Sequence, residues 1–369
     1  MRISAVLTMV AAGIVFPPAG PAFADRDDSN AFIQKFQRVD AVASTVPATN
    51  GDVNPYGVAI VPVTTGMLVE NDVLVSNFNN SGNLQGTGST IDEISPDGNV
   101  KIFATITQAS LPAPCPGGIG LTTALVALRS GFVVVGSLPT TNGMAATAKA
   151  GCLIVLDSNG KPVAMLRDNG INGPWDMTAV DFGNFAVLFV TNVLNGTVAA
   201  NGKVVKEGTV LRILLATPRG GTPAEVVRAV IGRGFEERTD PNALVIGPTG
   251  VGFGPDGTLY VADTLENRIA AIPNALFRVD DAGNGKTVSK GGALNQPLGL
   301  AIAPNGDILT VNAGDGNIVE TEREGEQIAV KTIDVSGQGA GTLFGLAVAP
   351  GGHGVYFVDD GDNSLDILH

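Results

Sequence analysis

Histidine, cysteine, tryptophan and basic residues are all scarce in this chain of 369 residues. It contains 2 His, 2 Cys and 1 Trp, and its 22 Lys+Arg stand against 35 Asp+Glu. An acidic surface repels phosphate backbones and anionic lipid headgroups, so we expect no nucleic-acid partner. Because His353 and His369 are the only histidines, mechanisms that need His metal ligands or His proton transfer are disfavoured.

Long apolar runs are also missing after the first residues. Arg2 is followed by an apolar run over residues 3–16 and by Ala22-Phe23-Ala24. A short basic start, an apolar middle and a small-x-small end predict a secretory signal over residues 1–24, cleaved before Asp25. The run is shorter than the roughly 20 residues of a membrane helix, so we expect no integral membrane segment and a secreted or periplasmic protein. Cleavage would leave 21 basic and 35 acidic residues, a formal net charge of −14.

The two cysteines, Cys115 and Cys152, have two interpretations. In an exported protein one disulfide is the simpler, and two buried thiols are the alternative. A bridge would stabilise the fold by about 3 kcal/mol through loop closure. With no histidine to activate them, neither cysteine is a good candidate nucleophile.

Glycine is abundant, with 49 residues, and short β-branched runs bounded by Gly, Pro, Asn or Asp recur along the chain. The best-formed unit is residues 248–269, with a strand, a Pro-Asp-Gly turn, a second strand ending in Asp263 and the start of a third. The starts of these units lie 63, 56, 74, 49 and 46 residues apart, which matches a propeller blade of about 40 to 50 residues with loops of variable length. The six inner strands are expected to begin at equivalent positions, which are Gly57, Gly120, Asp176, Gly250, Gly299 and Gly345.

These units predict an all-β fold, a six-bladed β-propeller of four-stranded blades over residues 51–369. The last unit has only three strands, and unpaired sheet edges invite other pairings. We therefore expect residues 25–50 to supply the missing outer strand of blade six, from about residues 37–45. The acidic run over residues 320–326 is interpreted as a solvated edge.

Pro248-x-Gly250-Val251, Pro255-Asp256-Gly257 and Asn267-Arg268-Ile269 resemble the NHL repeat of six-bladed propellers, and residues 297–312 are similar. The architecture is also distantly similar to that of the senescence-marker/gluconolactonase family. That resemblance implies a divalent metal on the central axis, held by Glu, Asn and Asp just before the inner-strand glycines. In this chain the corresponding residues are Tyr56, Ile119, Trp175, Thr249, Leu298 and Phe344.

None of those six residues is a carboxylate or carboxamide, so the metal cage of the family is not expected here. No cofactor is predicted, with Ca²⁺ or another divalent metal left open and Asp176 as the candidate ligand. Tyr56 and Trp175 are candidates for stacking on a ligand, with packing between blades as the alternative.

The second strands all end in a small polar residue on the face where the inner strands begin, which we call the top face. These residues are Asn77, Ser137, Asn192, Asp263, Asn312 and Asp359. Such a residue commonly caps its own loop, and the functional alternative is a polar ring at the axial mouth. The top loops over residues 79–88, 139–150 and 194–208 are long, and loops on a rigid scaffold commonly carry binding sites.

The sequence thus predicts a binding or interaction module with a top-face site built from Trp175, Asp176, Asn77, Asn192, Asp263, Asn312, Asp359 and Tyr56. The expected partner is a protein, a peptide or a sugar-like ligand, and a monomer is expected. A metal-dependent lactone or ester hydrolase, with its metal displaced from the usual axial position, is the alternative function.

Overall fold

The structure of the protein is a computed structural model, and it describes residues 31–334, 336 and 341–369. The predicted signal peptide, residues 1–24, lies outside the described residues. Within the described part no helix is both long and apolar enough to cross a membrane.

Six antiparallel sheets form six blades in chain order around a central axis. The first strand, β1 (Val39–Ser44), follows a single 3-10 turn over Ile33–Lys35. Blade one contains β2 (Val53–Ile60), β3 (Val73–Asn79), β4 (Thr90–Ile94) and β5 (Val100–Thr105). Blade two contains β6 (Leu121–Ala127), β7 (Val133–Ser137), β8 (Cys152–Leu156) and β9 (Pro162–Leu166).

Blade three is the irregular one. It contains β10 (Gly173–Asp181), β11 (Phe185–Val193), the short helix α1 (Thr197–Ala200), β12 (Val205–Ala216), β13 (Ala224–Asp240) and β14 (Leu244–Ile246). Its fourth strand continues past the sheet into a hairpin, in which Asp240 faces Leu244.

The last three blades are regular. Blade four contains β15 (Pro248–Phe253), β16 (Leu259–Asp263), β17 (Arg268–Ile272) and β18 (Lys286–Lys290). Blade five contains β19 (Pro297–Ile302), β20 (Ile308–Asn312), β21 (Asn317–Thr321) and β22 (Gln327–Thr332). Blade six contains β23 (Leu343–Val348), β24 (Val355–Asp359) and β25 (Ser364–Leu368).

The ring is closed by pairing the two ends of the chain. Strand β1 pairs antiparallel with β25, with Val39 opposite Leu368 and Ser44 opposite Ser364. The sheet order β1-β25-β24-β23 makes β1 the outer strand of blade six. This confirms the closure expected from the missing fourth strand of that blade.

A buried carboxylate holds the segment that leads into β1. Glu320 on β21 is fully buried, and its two oxygens accept hydrogen bonds from the backbone N–H groups of Phe32 (2.7 Å) and Ile33 (2.8 Å). The interpretation of the acidic run as a solvated edge was therefore wrong at Glu320. Strand β21 is buried on both faces from Ile318 to Thr321, so this side chain lies inside the protein, while Glu324 in the following turn is exposed.

The inner strands approach each other closely where they pass the axis. A Cβ atom at Gly299 would lie 1.9 Å from the carbonyl oxygen of Phe344, and one at Gly345 would lie 2.3 Å from that of Tyr56. Real Cβ atoms do not approach backbone this closely, so glycine is required at these two positions.

The strand register corrects the alignment in blade two. Leu125 faces Val135 as Val251 faces Val261, so Ala124, and not Gly120, takes the glycine position and Thr123 precedes it. The expectation for Gly120 and Ile119 was wrong because these residues precede β6. The irregular pairing between Leu121 and Leu125 also has one residue more than the others.

Cys115 and Cys152 form a disulfide in the described structure, which confirms that interpretation. Both cysteines are buried in an apolar cluster between blades one and two. The bridge joins the segment that enters β6 to the start of β8, and so fixes the long top loop of blade two at its base.

Candidate functional site

Three stacked aromatic rings close the central axis near the top face. The rings of Tyr56 and Phe344 lie 3.8 Å apart, and Trp175 stacks 6.3 Å from Tyr56 and 6.4 Å from Phe344. Together with Leu298 these side chains are at most 2% exposed. We call these four residues the aromatic plug. Aromatic stacking adds to the burial of large rings, so the plug is a strong packing element.

The hairpin formed by the end of β13 and by β14 covers the aromatic plug. The indole Nε1 of Trp175 donates a hydrogen bond to the carbonyl oxygen of Val245, 2.9 Å away. Ala243, Leu244 and Ile246 belong to the same buried cluster as Tyr56 and Phe344. Leu244 has a φ of 62°, a left-handed conformation that is uncommon for a non-glycine residue.

The plug residues do not fit a divalent metal. Hard cations such as Ca²⁺ and Mg²⁺ need several oxygen ligands converging at about 2.0 to 2.6 Å. The positions where the gluconolactonase resemblance puts such ligands hold the aromatic plug together with Thr123 and Thr249. Among the described residues no cluster of three or more His, Cys, Asp or Glu side chains is placed to bind a metal.

The six polar strand ends are fully buried. Each lies in a different blade and forms hydrogen bonds or an ion pair with groups close to it. Asn77 donates to the carbonyl oxygen of Thr45 and to Asp92, and Asn192 accepts from the N–H groups of Asn172 and Gly173. Asp263 forms an ion pair with buried Arg268 at 2.9 Å. Each of these side chains thus bonds to a loop or strand beside it, and none of these bonds joins one strand end to another.

The remaining strand ends show the same arrangement. Asn312 donates to the carbonyl oxygen of Ala293, Ser137 to that of Gly118, and Asp359 accepts from the N–H of Gly361. Burial raises the pKa of Asp359 to about 7, and the charge of Asp334 adds to the rise.

The long top loops of blades one to three meet at a pocket of about 470 Å³, which we call the three-loop pocket. Each loop contributes to its wall, through Gln85, Met144 and Val198, and the β13–β14 hairpin adds Arg238 and Leu244. Gln85 also donates a hydrogen bond to the carbonyl oxygen of Pro241 on the hairpin, 2.7 Å away.

Each of the three loops also exposes one large apolar side chain. Leu84 is 41% exposed, Met144 59% and Val204 47%. Gly143 packs directly against Leu84, so the first two of these loops are in contact. Exposed apolar side chains grouped beside a concave surface are typical of binding sites.

Below the plug, the inner strands surround an axial channel of about 350 Å³. Asp176 on β10 lines it at the position that is glycine in four of the other blades. Its Oδ2 accepts a hydrogen bond from the N–H of Val251 in blade four, at 3.0 Å. Burial raises the pKa of Asp176 to about 8, although the N–H groups of Met177 and Val251 lower it.

The structure separates the predicted site residues into three environments. Tyr56 and Trp175 lie in the aromatic plug, Asp176 lines the channel beneath it, and the strand ends lie in their own blades. Sequence reasoning missed the β13–β14 hairpin. The only signal was the short apolar run Leu244-Val245-Ile246 just before Pro248, which also fits the end of an outer strand.

The fold and the closed axis define this protein as a six-bladed β-propeller whose axis is closed near the top face by aromatic rings. No protein-family model matches the chain. No curated protein matches it either.

Solved gluconolactonase-like propellers share the fold. The chain is similar to a gluconolactonase from Xanthomonas campestris, with a TM-score of 0.55 and 14% identity over 90% of this chain and 88% of that one. It is equally similar to regucalcin, a calcium-binding protein from Agrobacterium tumefaciens, with a TM-score of 0.55 and 13% identity over 88% and 94% of the two chains. A luciferin-regenerating enzyme gives a TM-score of 0.52 at 10% identity, over 89% and 94%.

Proposed function

We propose that this protein is an exported binding module that takes a peptide or a loop of another protein at the three-loop pocket. The observation that carries the proposal is the convergence of three long loops and the β13–β14 hairpin on one pocket of about 470 Å³. This size lies within the range of about 300 to 1,000 Å³ typical of small-ligand sites.

The chemistry of the pocket favours a mixed ligand. Met144 and Val198 offer apolar surface, while Gln85 and the ion pair of Arg238 with Asp240 (3.0 Å) offer polar contacts. A partner with one or two apolar side chains and neighbouring amide groups fits this wall. Signal cleavage before Asp25 remains part of the proposal.

A peptide-array experiment tests the proposal. Peptides selected on the wild-type protein should bind Met144→Asp at least tenfold more weakly, because the new carboxylate lies in the apolar wall. Val279→Asp is the matched control, since Val279 is 89% exposed and outside the pocket lining. The proposal fails if both variants keep the wild-type affinity or lose it equally.

The alternative is a metal-dependent lactone or ester hydrolase acting at Asp176. It is supported by the similarity to gluconolactonase structures and by the carboxyl group in the axial channel. Metal analysis of the purified protein, with thermal shifts in Ca²⁺ and Zn²⁺, separates the two functions. Stoichiometric metal together with lactone hydrolysis that Asp176→Asn abolishes would favour the hydrolase.

A further inference from the structure

A groove separate from both the three-loop pocket and the axial channel lies on the face opposite the top face, which we call the underside. Because the second strand of each blade ends at the top, the turns that join strands one to two and three to four lie on the underside. Four such turns from blades one to three line a groove of about 450 Å³, which we call the underside groove. The turns are residues 61–72, 128–132, 157–161 and 217–223.

Contacts between neighbouring blades hold these turns together. The N–H of Met67 in blade one donates a hydrogen bond to the carbonyl oxygen of Ser158 in blade two, 2.8 Å away. The guanidinium group of Arg219 in blade three donates to the carbonyl oxygen of Arg129 in blade two, at 3.4 Å. The groove is therefore formed by three blades together, and it depends on the closed ring.

Arg129 and Arg219 line the groove, and both side chains are exposed. Within the described part of the chain neither guanidinium group forms an ion pair, and that of Arg129 forms no hydrogen bond. Acidic residues outnumber basic ones 35 to 22 in this chain, yet no carboxylate pairs with these two cations. Because the guanidinium group of Arg219 lies against the backbone of Arg129, both cations can reach one anionic group.

Two carboxylates beside the groove are already bonded to the backbone. Asp157 accepts hydrogen bonds from the N–H groups of Asn159 and Lys161. Asp181 accepts one from the N–H of Arg129, at 2.6 Å. Their charges reduce the positive potential of the groove, but they leave guanidinium N–H groups of both arginines without a partner. These N–H groups are donors that an anionic ligand can use.

Neutral polar side chains line the groove between the arginines and blade one. Thr65, Ser158 and Asn159 are lining residues that are at least partly exposed. Their side chains form no hydrogen bond with another residue that the structure describes. Hydroxyl and carboxamide groups both donate and accept hydrogen bonds, so they suit a ligand that carries hydroxyl groups.

We propose that the underside groove binds a small soluble phosphate ester, whose phosphate group bonds to Arg129 and Arg219 and whose hydroxyl groups contact Thr65, Ser158 and Asn159. A phosphate group carries a charge of about −1.5 to −2 near pH 7 and three acceptor oxygens, so two guanidinium groups can bind it at once. A carboxylate has one charge and two oxygens, which one arginine already satisfies. The groove volume lies within the range of about 300 to 1,000 Å³ typical of small-ligand sites.

Three molecules with the same three-carbon frame test the ligand class. They are glycerol 3-phosphate, glycerate and glycerol, titrated calorimetrically near neutral pH and at low salt. We expect glycerol 3-phosphate to bind about tenfold more tightly than glycerate, and glycerol to give no measurable binding. Added NaCl should weaken the binding, because salt screens exposed charges. Binding of glycerate or glycerol as tight as that of the phosphate would overturn the proposal, as would binding of none of the three.

Three variants locate the binding site. Arg129→Gln and Arg219→Gln should each bind glycerol 3-phosphate about tenfold more weakly, because each loses a charge-assisted contact. Arg323→Gln is the matched control, since Arg323 is exposed in an underside turn of blade five and lies outside the groove lining. It removes the same charge and should keep the wild-type affinity, and circular dichroism checks the fold of each variant.

Equal losses in all three variants would show a general effect of charge and overturn the site. Wild-type affinity in an Arg129→Gln/Arg219→Gln double variant would overturn it as well. Met144→Asp should leave the binding of glycerol 3-phosphate unchanged, because Met144 lines the three-loop pocket and not the underside groove. The two binding proposals can therefore fail independently.

Discussion

The indole Nε1 of Trp175 lies 2.9 Å from the carbonyl oxygen of Val245, and this hydrogen bond ties the β13–β14 hairpin to the rings that close the axis. Trp175 is the only tryptophan of the chain, so its fluorescence reports on this one place. The arrangement gives a structural role to the aromatic rings at the positions where the gluconolactonase resemblance implies metal ligands. The β13–β14 hairpin packs on these rings.

Replacing Trp175 with Phe should lower the free energy of unfolding by about 1 to 3 kcal/mol. The variant loses the bond to Val245, leaves that carbonyl group unsatisfied and removes buried ring surface. Chemical denaturation followed by circular dichroism measures the change. Phe185→Leu, at a side chain that is 48% exposed, should change stability far less.

Replacing Gly299 with Ala should destabilise the fold by about 2 kcal/mol or more, because the new methyl group would overlap the carbonyl oxygen of Phe344. Gly82→Ala is the matched control, since the nearest atom to a Cβ there is 3.2 Å away in a surface side chain. Equal melting temperatures for the two variants would contradict the close approach at the axis.

Removing the carboxylate of Glu320 should loosen the closure of the ring. Glu320→Ala loses two charge-assisted hydrogen bonds to Phe32 and Ile33, an expected cost of about 2 to 4 kcal/mol. Limited proteolysis should then cleave before β1 faster than in wild type. Glu324→Ala, in the exposed turn that follows, should behave like the wild type.

Breaking the disulfide should cost about 3 to 4 kcal/mol by the loop-closure argument, since Cys115 and Cys152 are 37 residues apart. A Cys115→Ala/Cys152→Ala variant, measured by thermal and chemical denaturation, tests this. The wild-type protein with reductant should approach the stability of the double variant. If neither loses stability, the bridge does not contribute to the fold.

Stability should fall as the pH rises from about 4 to 8. Burial and the charges of Asp359 and Asp334 raise the pKa of Asp360 to about 8, and burial raises the pKa of Asp176 to about 8. Such carboxyls hold protons in the folded state that the unfolded chain has released, so unfolding becomes easier with rising pH until the folded pKa is passed.

Asp360→Asn should therefore raise stability at pH 8.5 by an amount on the order of 1 kcal/mol and flatten the pH profile. Asp362→Asn in the same turn is the matched control, because Asp362 is exposed. Urea denaturation at pH 5.5 and 8.5 provides the comparison. If the free energy of unfolding of the wild-type protein rises between pH 5.5 and 8.5, the pKa values of these buried carboxyls are not raised in the folded state.

The sequence by itself determined the architecture, because the evidence for a blade is local. Turn residues, β-branched runs and the spacing of the units at residues 248–269 and 297–312 belong to single blades, and the lack of a fourth strand in blade six indicated how the ring closes. The disulfide was predicted from an even number of cysteines together with a predicted export signal.

The location of each side chain around the axis was decided only by the tertiary structure. Trp175 and Asp176 are adjacent in sequence, yet one packs in the plug and the other lines the channel below it, because alternate residues of an inner strand face different neighbours. Likewise the alignment of Gly120 failed because a bulge changes register without changing composition. Which loops meet at the three-loop pocket depends on blade order and on a hairpin that the repeat pattern does not encode.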